Sequence, residues 1–441
     1  MPGKIAKLKE GVNKRWLRLF LLPAIIAFGY YMLADEEVKP EIRRLQTAFN
    51  QVGPIENNGE VYRLGMWIDF SHSPFQVGKH IVEKARLSDG VITQELVDTL
   101  YPPDNWLADI AVDENTSPLL CDLQETSCLT FIWQHSAEIK PFIQQYQPYI
   151  NRYSGLMAFD FFLPLAIPSL REQNAFSELD LLAVNLMLLQ VIDKLKAGDT
   201  AQAVSELSRL MQFQYTQMAD AVQVIPKVIN LMQYKLTLKV AAFLLAKTPV
   251  TDLQAWQPIY ARLTPINDEA LSMQAAYLRE VAMFANDIAT YLPGSLPENH
   301  SSIFLWLKSR LFYKHNKTLN AFYDYIQQNT DRVVVENGRF IERDMPDMPG
   351  DSISLNNFLG NILLSVSAPR FIDVRTELLS LNYLHSLYQL AFDARITHSA
   401  PLLNSIKSPY TGEPAFIADK QLCVAGEEES AEDICLYFAS R

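Results

Sequence analysis

Catalytic signatures are what this 441-residue sequence most clearly lacks. It contains no match to G-x-S-x-G, S-x-x-K, H-E-x-x-H, the P-loop or G-x-G-x-x-G. Those motifs mark the commonest serine hydrolases, penicillin-binding enzymes, zinc proteases and nucleotide-binding machines. The sequence therefore favours a protein that is not an enzyme, and it predicts no cofactor and no resident metal. Only an active site of divergent sequence would escape this test.

Glycine and cysteine are scarce as well. Glycine accounts for 16 of 441 residues, which is typical of a helix-dominated chain with few special backbone angles. The four cysteines lack the C-x-x-C spacing of thiol-redox enzymes. Cys121 with Cys128 and Cys423 with Cys435 form two local pairs, which predict two disulfide-closed loops in an oxidising compartment. Zinc is the alternative, but neither pair has the C-x2–4-C spacing of a structural zinc site.

Basic charge is concentrated in the first 18 residues. This leader carries +5, and because the whole chain carries −12, residues 19–441 carry −17. An acidic domain of this kind repels nucleic acid, so we predict no nucleic-acid partner. Solubility is the simplest explanation for the acidic charge, and a basic protein partner is the sharper alternative.

An uncharged apolar run, from Leu19 to Ala34, follows the basic leader and is followed by three acids. As a helix it spans about 24 Å, and Arg18 can reach back to the headgroups to complete the ~30 Å hydrocarbon core. Because cationic flanks stay in the cytoplasm, we predict a cytoplasmic leader over 1–18 and a single transmembrane anchor over 19–34 in a bacterial inner membrane. The remainder is then periplasmic. A cleaved signal peptide is the alternative, although Met32 is bulky where cleavage sites prefer a small residue.

The fold class predicted for the exported part is mainly α. Residues 35–128 are predicted to form a stalk and an irregular N-terminal subdomain, with helices over 38–50 and 74–87. Helical periodicity then predicts an α-helical core domain over 129–395. A C-terminal β and loop appendage is predicted for 396–441, stapled by the second disulfide because an isolated hairpin is marginally stable in water.

Local breaks divide the predicted core into helices. Gly198-Asp199 ends one helix, and Thr200 is the expected cap of the next. A helix over 218–246 contains Pro226 and is expected to kink near it. Asn337-Gly338 lies between two short apolar runs and predicts a β-hairpin.

Three stretches resemble a group of proteobacterial inner-membrane-anchored proteins: Cys121…Cys128-Leu129, Tyr146…Asn151-Arg152-Tyr153, and FYKHNKTLN at 312–320. The turn SPYTGEP at 408–414 is similar to the Pro-Tyr-Thr-Gly-x-Pro turn that ends many helical envelope proteins. The resemblance implies an envelope location and a helical architecture, and it implies no activity.

Four polar side chains close together in sequence form a candidate ligand groove: Arg310, Lys314, Asn316 and Asn320. They stand beside aromatic residues in an otherwise acidic domain, a combination that suits a polar or anionic ligand. Ion pairing with nearby acids is the simpler alternative.

Two further patterns suggest chemistry. Gly350-Asp351-Ser352 looks like the nucleophile block of GDS-type esterases, but the downstream Asp-x-x-His block is missing, so we expect a loop leading to a helix cap at Ser354. His72, His80 and Asp69 have the residue types of a metal site. A solvated or capping histidine pair is the simpler expectation.

These patterns together predict a membrane-anchored periplasmic helical protein with a non-enzymatic binding or scaffolding role in the cell envelope. Its expected partners are the inner membrane, through residues 19–34, and an envelope protein. The alternative is a divergent envelope hydrolase that acts on cell-wall or lipid material.

The predicted topology is tested by fusing reporters after Arg441. We expect alkaline phosphatase, which needs periplasmic disulfides, to be active and a cytoplasm-dependent fluorescent protein to be dark. A fusion that is active only in the cytoplasm would contradict the anchor and the compartment together.

Overall fold

The computed structural model describes residues 23, 27–68, 71–102, 118–172, 178–291, 313–330, 332–343, 357, 359, 361–362, 364, 371–426 and 433–438. Asp69, Arg310, the Gly350-Asp351-Ser352 string, Ser354 and most of the predicted anchor lie outside these residues. The described part is mainly helical, with two disulfides and a small C-terminal β region, as predicted.

The chain divides into two compact units that do not follow the order of the sequence. Unit 1 comprises Met1–Ala48, Val281–Gln328 and Met345–Pro369, and unit 2 comprises Phe49–Glu280, Asn329–Asp344 and Arg370–Arg441. The domain boundaries predicted from the sequence, at 35, 129 and 396, stay predictions.

Helices make up most of the described structure. In chain order they are α1 (Pro40–Phe49), α2 (Gly59–Gly65), α3 (Pro74–Arg86), α4 (Gln94–Leu100), α5 (Thr126–Gln134), α6 (Ser136–Gln145), α7 (Gln147–Leu156), α8 (Glu178–Lys196), α9 (Thr200–Asp220), α10 (Val224–Lys247), α11 (Gln257–Arg262), α12 (Asp268–Leu271), α13 (Gln274–Tyr291), α14 (His315–Asn329) and α15 (Phe371–Thr397). Short 3-10 turns lie at Pro118–Leu120, Val250–Trp256 and Leu403–Ser405.

The core of unit 2 is built from α8, α9 and α10, which pack against one another, and from α15, which packs against α10. The turn between α8 and α9 requires glycine at Gly198, where φ is +90°. The cap of α9 is Asp199, whose carboxylate accepts from the Gln202 N–H at 3.2 Å, so the prediction of Thr200 as the cap was wrong by one residue. Aspartate accepts this bond equally well, because its oxygen sits at the same short distance from the backbone.

Helix α10 is the one helix of the described residues that is long and apolar enough to cross a membrane by length and composition. Within its apolar 18-residue stretch, 67% is buried inside the protein, as is usual for a core helix. The helix predicted over 218–246 is interrupted at Ala221–Gln223, just ahead of Pro226, which lies in the first turn of α10.

The predicted hairpin is confirmed as β1 (Val333–Glu336) paired antiparallel with β2 (Arg339–Glu342). Its turn residues, Asn337 and Gly338, have φ of 53° and 74°, the left-handed conformation expected of a two-residue hairpin loop.

The C-terminal β element contains β3 (Phe416–Ala418), β4 (Gln421–Val424) and β5 (Ile434–Tyr437) in antiparallel order β3-β4-β5. Cys423 lies directly opposite Cys435 in the register, with Cα atoms 4.2 Å apart, and the two form a disulfide. Cys121 and Cys128 form the other disulfide, which closes the loop leading into α5.

Removing the second disulfide tests how far the tail depends on it. We expect the Cys423→Ser/Cys435→Ser variant to exchange amide hydrogens faster over 415–438, because the cross-link limits the unfolded tail, with a loss of about 2–3 kcal/mol. Peptides from α8 to α10 should keep their protection in hydrogen-exchange mass spectrometry. The matched control is Cys121→Ser/Cys128→Ser, and equal exchange in the tail with and without Cys423–Cys435 would contradict the stapled-tail prediction.

Candidate functional site

An irregular stretch of chain, residues 157–172, separates two concave sites in unit 2, and we call it the crossing segment. It begins after α7 and runs beside the residues that lead into α2. There the N–H groups of Gly53 and Gly59 donate to the carbonyl oxygens of Pro164 and Phe161, at 2.7 and 3.0 Å. These backbone hydrogen bonds hold the crossing segment in place without a helix or a sheet of its own.

Asn58 attaches the crossing segment to the start of α2. Its fully buried side chain accepts from the N–H groups of Glu60 and Leu163 at 3.1 and 3.0 Å, and donates to the carbonyl oxygens of Pro54 and Leu163 at 3.0 and 2.9 Å. Asn58 is therefore the N-cap of α2 and also the anchor of a segment about a hundred residues later.

The first concave site, which we call the inner pocket, is a cavity of about 70 Å³ enclosed by the crossing segment, α2, α9 and α10. Apolar side chains such as Leu64, Ile92 and Phe162 form part of its wall. A few convergent polar groups in an apolar wall are typical of sites for small molecules. The polar lining consists of Glu60, Arg63, Glu172, Gln217, Asp220, Gln223 and Asn230.

Arg63 links the walls of the inner pocket to one another. It is 3% exposed, pairs with the carboxylate of Glu60 and donates to the side-chain oxygen of Gln217 at 2.7 Å. Its guanidinium lies 5.0 Å from the centre of the Phe162 ring, in cation–π contact. A buried arginine keeps its charge, so these partners compensate for the water that the guanidinium loses. The guanidinium in turn holds them in position.

Arg279 and Glu172 form the second buried ion pair of the site. One Arg279 nitrogen donates to both Glu172 oxygens, at 3.0 and 2.9 Å, and Gln223 donates to Glu172 at 3.2 Å. Burial raises the pKa of the Glu172 carboxyl above its usual value, although Arg279 and Gln223 favour the charged form. Burial also raises the pKa of the neighbouring Glu280. Both carboxyls therefore bind a proton more readily than an exposed glutamate does.

A buried lysine stands close to the inner pocket on α10. Lys227 is 2% exposed, and burial lowers its pKa to about 8 while the Asp220 carboxylate opposes that shift. The charges of the acids and bases in this site therefore nearly balance. A site of this kind does not favour a strongly charged ligand of either sign.

The second concave site, the outer groove, lies on the other side of the crossing segment and has a volume of about 640 Å³. Phe162 and Gln217 line both sites and form the wall that they share. The crossing segment contributes Met157, Phe159 and Asp160, α9 contributes Ala201, Val204, Ser205, Ser208, Arg209, Gln212, Phe213 and Thr216, and Ala255, Pro258 and Arg262 form the far wall.

The candidate ligand residues of the sequence analysis lie in unit 1. Lys314, Asn316 and Asn320 come together at the start of α14, whereas Arg310 lies outside the described residues. The Lys314 ammonium donates to the Met32 carbonyl at 2.6 Å, and the Asn316 side chain donates to the Glu36 carbonyl at 2.7 Å. These polar groups bind the chain's own residues 32–37, and their role towards a separate ligand stays a prediction.

Residues 32–39 form a strap across the start of α14. The Asp35 carboxylate accepts from the N–H groups of Asn316 and Lys317, each at 3.1 Å, and so caps α14 from a distant part of the chain. Asn320 donates to the Glu37 carbonyl at 2.9 Å and accepts from the Lys39 N–H at 3.0 Å. Residues 35–39, at the start of the predicted stalk, therefore contact α14 of the same unit.

Four of the described histidines, namely His72, His80, His135 and His385, contact a tyrosine, the backbone or a near neighbour. His80 lies 3.1 Å from the Tyr101 hydroxyl, and His385 bridges the Tyr234 hydroxyl and the Thr264 carbonyl at 2.9 and 3.0 Å. Burial lowers the pKa of His385 to about 4, so it is neutral at physiological pH. Within the described ranges, which omit Asp69, no three metal-binding side chains are clustered.

Sequence reasoning missed both sites of unit 2. Glu60, Arg63, Glu172 and Arg279 are separated by long stretches of chain, and each stands among residues of ordinary composition. A single sequence carries no signal that would have paired Glu172 with Arg279.

The buried pair yields a stability prediction. We expect Arg279→Met to lower the free energy of unfolding by about 3–5 kcal/mol, because it leaves the Glu172 charge buried and unpaired. Arg171→Met, which removes an exposed pair with Asp89, should cost less than about 1 kcal/mol. Urea unfolding of the full chain measures both. Adding Glu172→Leu to Arg279→Met should recover much of the loss, and equal losses at Arg279 and Arg171 would contradict the assignment.

No protein family, curated protein or solved structure matches this chain. The geometry of unit 2 and the chemistry of its side chains are therefore the basis for assigning a function.

Proposed function

We propose that this protein is a non-enzymatic binding protein of the cell envelope, anchored in the bacterial inner membrane by residues 19–34. Its periplasmic part binds an envelope protein through the outer groove of unit 2. The observation that carries the proposal is this groove of about 640 Å³, which is open, continuous along α9 and lined by both apolar and charged side chains.

Two observations support the location. Residues 27–33, at the end of the proposed anchor, are helical, and Phe28, Tyr30 and Leu33 are 60%, 76% and 50% exposed, as is usual for side chains that face lipid. The two disulfides are typical of an oxidising compartment such as the periplasm.

Hydrolysis is the second candidate function, and the inner pocket favours it. Glu172 and Glu60 are close enough for their charges to interact, and the raised pKa of Glu172 suits a general acid. Paired carboxyls of this kind cleave glycosidic bonds in many enzymes. Binding is preferred because Glu60 and Glu172 are already engaged by Arg63 and Arg279.

Site-specific photocrosslinking in living cells tests the proposal. A benzophenone amino acid in place of Ser205, which lines the groove, should give one discrete adduct with an envelope protein. The same probe at Gln202, exposed on α9 but outside the groove lining, is the matched control and should give none. Ala201→Trp, which fills the groove at an exposed position, should reduce the Ser205 adduct at least fivefold.

Glu172→Gln separates the two functions. A binding protein should keep the Ser205 adduct in this variant, whereas a hydrolase of cell-wall glycan should lose its turnover of purified peptidoglycan. Equal adduct yields at Ser205 and Gln202, or an Ala201→Trp variant that crosslinks as well as the wild type, would contradict binding at the groove.

A further inference from the structure

We infer that the occupant of the outer groove is an amphipathic α-helix of the partner protein, about four turns long, with carboxylates along one flank. This inference rests on the proposed function and names the chemistry of the partner at that same site.

The dimensions of the groove match a helix. Its floor is one face of α9 from Ala201 to Thr216, with lining residues spaced three and four apart. This face is about 22 Å long at 1.5 Å per residue. Small side chains at Ala201, Ser205 and Ser208 let a second helix approach α9 closely, within the ~8–10 Å that separates packed helix axes.

The walls of the groove favour a helix over an extended peptide. They consist of α9, α11 and the crossing segment, and the described strands do not contribute to the lining. An extended peptide would therefore find no strand edge with which to pair its backbone N–H and C=O groups. A helix satisfies these groups internally and needs only side-chain contacts.

The charged side chains that line the groove determine which flank of the partner helix should carry acids. Arg209 and Arg262 stand in the groove, and Asp160 is the one acid that lines it. Arg262 donates to the side chain of Gln212, and Arg209 has no ion-pair partner among the residues that the structure describes. Two exposed guanidinium groups in an otherwise acidic protein attract carboxylates. Asp160 repels them, so the acids of the partner should lie on the side of the two arginines.

A lipid fits the groove less well than a helix. Ser205, Ser208, Gln212 and Thr216 recur along the whole floor, and Gln212 donates to Thr216 at 3.1 Å. An acyl chain would displace water from these polar groups and offer them no hydrogen bond in return. The apolar side chains of the groove, including Phe159 and Phe213, form separate patches. Such patches suit a bound helix whose apolar residues recur on one face.

Designed peptides test the inference on the full-length chain in detergent micelles. The probes are three fluorescent 18-residue Ala/Leu helices that carry Glu, Gln or Lys at the same flanking positions, and binding is measured by fluorescence anisotropy. We expect the Glu peptide to bind at least tenfold more tightly than the Lys peptide. Arg209→Gln/Arg262→Gln should remove that preference, and Arg209→Glu/Arg262→Glu should reverse it. Both residues are exposed, and circular dichroism confirms that each variant is folded.

Several outcomes would overturn the inference. Equal affinity for all three peptides, no binding of any peptide, or displacement of the Glu peptide by dodecanoate at its Arg-dependent site would each exclude an acidic helix as the occupant. If the Ser205 adduct persists in such a case, the groove still binds a partner and only its chemistry is wrong. If the adduct is also absent, the proposed function fails with it.

Discussion

Burial of two guanidinium groups, those of Arg63 and Arg279, is the constraint on which unit 2 depends. Each is almost without solvent contact, so each must find a carboxylate and further acceptors inside the protein. Arg63 gathers Glu60, Gln217 and the Phe162 ring, and Arg279 holds Glu172 at the far end of the crossing segment. The crossing segment is therefore held at Phe162 and at Glu172 by the two guanidinium groups, and at Leu163 by the side chain of Asn58. Both concave sites exist because this segment stays in place.

Unit 1 uses polar groups in a similar way among the residues that the structure describes. The side chains that looked most like a ligand site, Lys314, Asn316 and Asn320, are satisfied by residues 32–39 of the same chain. A cationic and amide-rich cluster is therefore no evidence of an external ligand until its partners are known. Unit 2 shows the opposite case. The charge of Arg209 is exposed in the outer groove, which the described chain does not fill.

The features that the sequence predicted correctly depend on residues that are close together in the chain. The sequence predicted a helix over 74–87, where α3 lies, Asn337-Gly338 predicted the hairpin, and cysteine spacing predicted both disulfides. Errors occurred where one residue serves two purposes. Asn58 stands in an Asn-Asn-Gly sequence typical of a turn, yet it caps α2 and also binds Leu163. The ion pair between Glu172 and Arg279 joins residues 107 positions apart, and no local pattern reveals such a pairing.

The capping of α14 by Asp35 also sets an order of assembly. Asp35 is synthesised early, but the backbone N–H groups that donate to it belong to Asn316 and Lys317, 281 and 282 residues later. Until then its carboxylate has only water as a partner, and closure of this long loop carries an entropic cost that grows slowly with length. The part of unit 2 that lies between the two ends, Phe49–Glu280, is made earlier and can form α8, α9 and α10 first. The start of α14 therefore gains its cap only after nearly three quarters of the protein has been made, and α15 of unit 2 follows later still.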